Sequence, residues 1–189
     1  MKKEPLFFLR KKFMGGFIAV LMILSISAVF TSNTNSEKDP VEFNGKWFYP
    51  YNLGWFTYIN NVQTAFPYLP DELTNISSLP YVFIDSPKVY IITDPNEKNI
   101  TFDLLKQRLV YFLNQKGITS VPACSQEEGC PDSLPIKDCK DINVAGIFLK
   151  SGVQSRVYKD YMCYVIEGDT SLNLNKATEK LIYLLLGVI

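Results

Sequence analysis

Histidine does not occur in this chain. That absence removes Ser-His-Asp and Cys-His nucleophile schemes, and most catalytic zinc sites with them. No Cys-x-x-Cys is present, so the motif that lowers a thiol pKa for redox exchange is missing. Structural zinc also loses its usual ligand pattern. The sequence has no Gly-rich phosphate loop, since Gly15-Gly16 sits in an apolar run. It has no Asp-x-Asp-x-Asp-Gly order of a calcium hand. Net charge is zero, with 19 cationic and 19 anionic side chains. The average conceals a split. Lys2, Lys3, Arg10, Lys11 and Lys12 stand against Glu4 alone in the first twelve residues, which leaves the remainder acidic. An acidic body without a basic stripe excludes a nucleic-acid surface.

Charge is missing for longest between Phe13 and Ser36. Phe13–Phe30 reads FMGGFIAVLMILSISAVF, and the next charged residue is Glu37. Eighteen helical residues at about 1.5 Å each span roughly 27 Å, close to a bilayer core of about 30 Å. The run has no polar face, which argues against a buried helix of a soluble domain. With the lysines directly before it, the positive-inside rule places residues 1–12 in the cytoplasm. Residues 13–31 then form one N-terminal transmembrane signal anchor, 32–40 a polar linker, and 41–189 an extracytoplasmic domain. Two other readings stay open. A cleaved secretory signal would use Ser25-Ile26-Ser27, although that site lies inside the apolar run. A pilin-like processed subunit would be cut near Lys12-Phe13-Met14-Gly15-Gly16.

About 150 residues suffice for one hydrophobic core. Val41–Tyr51, Leu53–Asn60 and Val62–Tyr68 read as aromatic-rich strands, with Asn44-Gly45 and Asn60-Asn61 as turns. Both tryptophans, Trp47 and Trp55, fall in these runs and are expected in the core. Pro70–Asp85 reads as loop with a helical turn near Asp71–Asn75. Lys88–Thr93 is a buried strand ended by Asp94-Pro95-Asn96. Thr101 is the expected N-cap of a helix over Phe102–Lys116 that places Phe102, Leu105, Leu109, Phe112 and Leu113 on one face and stops at Gly117. Ile118–Pro122 is a short strand. Asn143–Lys150 and Arg156–Glu167 are expected as an antiparallel pair turning at Ser151-Gly152. A helix over Asn175–Leu186, apolar nearly all round at its end, is expected to lie buried against the sheet. The fold class is therefore α+β: an antiparallel-rich sheet with two main helices packed on it.

Four cysteines, Cys124, Cys130, Cys139 and Cys163, all follow the apolar segment. An even count beyond a membrane segment suggests disulfides. Spacing favours Cys124–Cys130 as a local loop and Cys139–Cys163 as a long-range tie. Glu127, Glu128, Asp132, Asp138 and Asp141 surround them and read as a solvated loop rather than a cation site. Asn75-Ile76-Ser77 and Asn99-Ile100-Thr101 are glycosylation sequons, making Asn75 and Asn99 candidate acceptors. Asp85, Asp94, Glu97 and Asp103 gather around a strand end and a helix start. Asp94 is the best single carboxylate for general acid–base work, against the plainer role of turn chemistry for Asp94-Pro95-Asn96.

The basic start before KKFMGGFIAVLMILS, the stretch FNGKWFYPYNLGWFTYINN, the Asp94-Pro95 strand end, the spaced cysteines and the terminal LIYLLLGVI together resemble short membrane-anchored ectodomain proteins of small-genome archaea. The resemblance implies location and carries no activity. The expected function is a non-catalytic binding or membrane-complex component, without cofactor or metal, whose partners are the lipid bilayer and another envelope or membrane protein. The alternatives are a carboxylate-dependent hydrolase or transferase near Asp94, and the processed pilin-like or secreted subunit.

Overall fold

The structure is a computed structural model that describes residues 38–97 and 100–189. The apolar run Phe13–Phe30 and Asn99 lie outside the described residues. No helix among the described residues is long and apolar enough to cross a membrane.

Residues from Pro40 onward form one compact unit. It opens with an antiparallel meander of four strands: β1 (Val41–Phe43), β2 (Lys46–Tyr51), β3 (Gly54–Ile59) and β4 (Val62–Phe66). Phe43 pairs with Lys46, and Ile59 with Val62, so Asn44-Gly45 and Asn60-Asn61 are two-residue turns. All four turn residues have positive φ, the type I′ geometry that matches strand twist and that Asn and Gly tolerate. Residues expected as turns from composition are therefore turns for a backbone reason.

A single 3₁₀ turn (Pro70–Leu73) and an extended stretch lead to a second sheet. Its strands are β5 (Lys88–Thr93), β6 (Thr119–Cys124), β7 (Gly146–Ser151), β8 (Arg156–Asp160) and β9 (Cys163–Gly168), in the order β6-β5-β7-β9-β8. β5 runs parallel to both β6 and β7, and β7 parallel to β9; the edge strand β8 alone is antiparallel. Helix α1 (Ile100–Gln115) crosses from β5 to β6, and helix α2 (Ser171–Leu186) follows β9.

Two expectations are corrected here. The α+β class holds, but with an antiparallel four-stranded sheet and a separate mixed sheet in place of one antiparallel-rich sheet. Asn143–Lys150 and Arg156–Glu167 do not form an antiparallel pair about Ser151-Gly152. The second run breaks at Tyr161-Met162 into β8 and β9, and β7 pairs in parallel with β9. Tyr161 takes φ 48°, a conformation rare for an aromatic residue, so nothing local in the sequence announces this turn. The parallel pairing has a physical cause: β9 is buried along its full length, the environment in which parallel strands occur.

The helices lie between the two sheets. Val89, Ile91, Ile147, Leu149 and Ile166 of the mixed sheet share one core with Phe102, Leu105, Leu109 and Phe112 of α1, with Leu181 and Tyr183 of α2, and with Phe48, Trp55, Ile59 and Phe66 of the meander. Phe66 stacks on the Tyr183 ring at 4.4 Å and on Phe112 at 5.8 Å. This sandwich explains why the end of α2 is apolar nearly all round: it has a sheet on each side. Thr170 caps α2 by accepting from the Asn173 amide. Gly187, at φ 66°, closes its other end while the Val188 amide reaches back to the Tyr183 carbonyl, a glycine C-cap. Thr101 is not a cap but the second residue of α1.

The far face of the mixed sheet is covered by the segment between β6 and β7. Cys139 and Val144 pack there against Ile92, Cys163 and Val165. Two disulfides hold the segment, Cys124–Cys130 and Cys139–Cys163, with Cα separations of 5.9 Å and 5.2 Å. Both pairs are those that spacing favours, and they fit an oxidising compartment. The second bridge also accounts for Gly146. A Cβ there would stand 2.5 Å from the Cys163 sulfur, so only glycine lets β7 pass.

Candidate functional site

The chain leaves β5 through α1 to β6 on one side and returns to β7 on the other. The carboxyl ends of β5 and β7 thus form a switch point, the place where ligands bind in open parallel sheets. A crevice of about 470 Å³ opens beside it, lined by Asp94, Glu97, Phe102, Asp103, Lys106 and Leu134 among others. Three of the four carboxylates singled out from the sequence meet here. Asp85 does not: it precedes β5 and lines a different cleft with Ile84, Ser86 and Lys159.

Each of the three carboxylates has a local partner. Asp94 Oδ1 accepts from the Asn96 amide at 2.8 Å and from Gln126 Nε2 at 3.1 Å. Glu97 accepts from the Ser151 amide at 2.9 Å, so its side chain bridges the gap between β5 and β7. Asp103 pairs with Lys106 at 2.7 Å, one turn along α1. These are turn, strand-end and helix-surface contacts. In the disulfide loop, Asp138 accepts from the Lys140 amide and Asp141 from the Asn143 amide. Glu127, Glu128 and Asp132 are exposed, and among the described residues no group of three metal-binding side chains forms. Asn75 is exposed on the turn after the 3₁₀ segment.

The second candidate is a surface that sequence reasoning assigned to the core. Strand alternation turns Trp47, Tyr49 and Tyr51 of β2 and Phe56 and Tyr58 of β3 outward, while Phe48, Trp55, Thr57 and Ile59 turn inward. Trp47, Tyr49, Tyr51 and Tyr58 are 49, 37, 42 and 55% exposed. Trp55 is core as expected, at 7%; Trp47 is corrected to the surface. At 150–250 Å² per ring residue, the four expose on the order of 400 Å² together. That is the scale at which a patch on a soluble domain has a use. Tyr49 lies opposite Phe56 and stacks on it at 5.3 Å and 25°, and Tyr58 meets Phe56 edge-on at 6.2 Å. The rings form a packed aromatic layer on the outside of a sheet whose inside is also aromatic. KWFYPY is apolar on both parities, which hides the outward set. Only the register fixed by Asn44-Gly45 separates the faces.

One buried charge pair anchors the elements behind this surface. Arg108 of α1 forks onto the Glu179 carboxylate of α2 through Nε and Nη2, the latter at 2.8 Å, and Nη2 also reaches the Ala65 carbonyl of β4 at 3.0 Å. Burial pushes the Glu179 carboxyl up, and the Arg108 guanidinium opposes that shift. Burial likewise raises the Tyr183 phenol, which donates to the Tyr68 carbonyl at 2.7 Å. Both groups lie inside the sandwich, so these shifts describe structure rather than a site open to substrate.

Compared with protein-family models, curated proteins and solved structures, the chain matches none.

Proposed function

We propose that this chain is a membrane-anchored, non-catalytic binding protein of the cell envelope. In this reading Phe13–Phe30 spans the bilayer, residues 1–12 are cytoplasmic, and the disulfide-stapled domain stands outside as part of a membrane complex. The observation that carries it is the outward aromatic face of the meander. Burying such a layer is favourable, whereas leaving it wet has no structural reason, since the sheet already has a core on its other side. The two disulfides support an oxidising location.

Intact mass tests the reading directly. Carbonate-washed membranes are expected to retain the full-length chain, four hydrogens lighter than its reduced form because two bridges are closed. A mature chain shortened after Ser27 or Gly16 would replace it with the secreted or pilin-like reading. Recovery in the soluble cytosol with free thiols would end it.

The 470 Å³ crevice favours a second reading, a carboxylate-dependent hydrolase or transferase centred on Asp94. Asp94→Asn separates the two. A binding protein keeps its membrane association, since the substituted side chain retains an Oδ1 that accepts from the Asn96 amide and Gln126 Nε2. An enzyme of this class would lose turnover by about 10²-fold or more.

A further inference from the structure

The outward face of the meander is nearly without charge. By alternation its described positions are Glu42, the five aromatics, Gln63 and Ala65, so Glu42 on the edge strand β1 is its one ionised side chain. Three tyrosines and a tryptophan give apolar bodies with polar tips, the ring type that settles at the headgroup level of bilayers. Here the Tyr49 and Phe56 faces are turned on each other, and Tyr58 stands against Phe56.

Chain length supplies the rest. Ten residues, 31–40, separate the apolar run from β1. Ten residues span at most about 35 Å, whatever their conformation. The tether enters β1, the edge strand of this same sheet, where Glu42 lies opposite Trp47 of β2. A face held by so short a connection to a membrane anchor would meet lipid at a raised effective concentration.

We infer that the aromatic face of the meander docks on the interfacial layer of the bilayer that anchors the chain, through uncharged contacts of Trp47, Tyr49, Tyr51 and Tyr58. This rests on the anchored reading of Phe13–Phe30, and the experiment below separates the two. Docking of this kind holds the domain flat against the membrane and sets the orientation of everything it presents.

The test uses the full chain reconstituted into phosphatidylcholine vesicles with and without lipids brominated near the headgroup. Trp47 and Trp55 are the two tryptophans, and Trp47→Phe is a conservative change at an outward position. Brominated lipid is expected to quench wild-type emission by about half the Trp47 contribution or more, and to leave the Trp47→Phe variant unquenched. Tyr49→Ser with Tyr58→Ser is expected to abolish that quenching without lowering the melting temperature. Carbonate washing of the same vesicles reads the anchor. Retention without quenching would overturn docking and leave the anchor standing. Loss on washing, with quenching restored by added vesicles, would uphold docking and overturn the anchor; loss of both would overturn both. Blue-shifted Trp47 emission that lipid does not quench would assign the face to a second copy or another protein and overturn the inference. Quenching that needs anionic lipid and disappears in high salt would overturn it too, by making the contact electrostatic.

Discussion

Arg108 and Glu179 show how much one pair of residues organises. The guanidinium lies over the Phe112 ring at 5.1 Å and binds α2 and β4 at once. Glu179 is fully enclosed. Removing one partner strands a buried charge, so Arg108→Ala is expected to cost about 3–5 kcal/mol, read as a lowered urea midpoint. Arg108→Met combined with Glu179→Leu is expected to recover most of that loss, because an apolar pair of similar volume removes the desolvation cost. The pair was not legible in the sequence. Arg108 reads as a solvent-facing helix residue and Glu179 as one more polar residue beside Lys176, Thr178 and Lys180. Their meeting depends on α1 and α2 packing side by side, which no local pattern encodes.

At the scale of elements, legibility followed how locally each one is determined. β5 matches the expected Lys88–Thr93 run, because a buried strand needs only continuous apolar character. α1 buries the five residues placed on its face, because a 3.6-residue period is a local property. The β8–β9 turn and the parallel pairing of β7 with β9 escaped, since both depend on partners distant in sequence. The outward aromatic face escaped for a different reason: both parities of β2 are apolar, so burial could not be assigned by alternation. The start of α2 offers an element-scale prediction. The Asn173 side-chain amide and the Ser155 hydroxyl hold the Asp169 carboxyl below its ordinary range. A depressed folded pKa stabilises above the unfolded value of 3.8, and that contribution is lost as pH falls through the folded pKa. Asp169→Ala should therefore lower the melting temperature at pH 7, with the gap from wild type closing as pH drops below 3.8. A gap of constant size across that range would show that the carboxylate charge plays no part.

For the whole molecule, the disulfides and the sandwich set the stability. Cys139–Cys163 closes a loop of sequence separation 24, so Cys139→Ser with Cys163→Ser is expected to cost roughly 3 kcal/mol, measured by denaturant unfolding. The Cys124–Cys130 bridge closes only six positions, and its removal should cost clearly less. The order of the layers has a further effect. Phe48 and Phe66 of the first sheet rest on Tyr183, and the Asn44 side chain donates to the Val188 carbonyl. The strands of the meander can therefore cover Phe66 with Phe112 of α1, but they complete their core only once α2 joins them. Until α2 is in place, Phe48 and the Tyr183 side of Phe66 have no helix ring to rest on. Closing the inner aromatic face thus joins strands to a helix far away in sequence, a step that local folding of the first strands cannot complete.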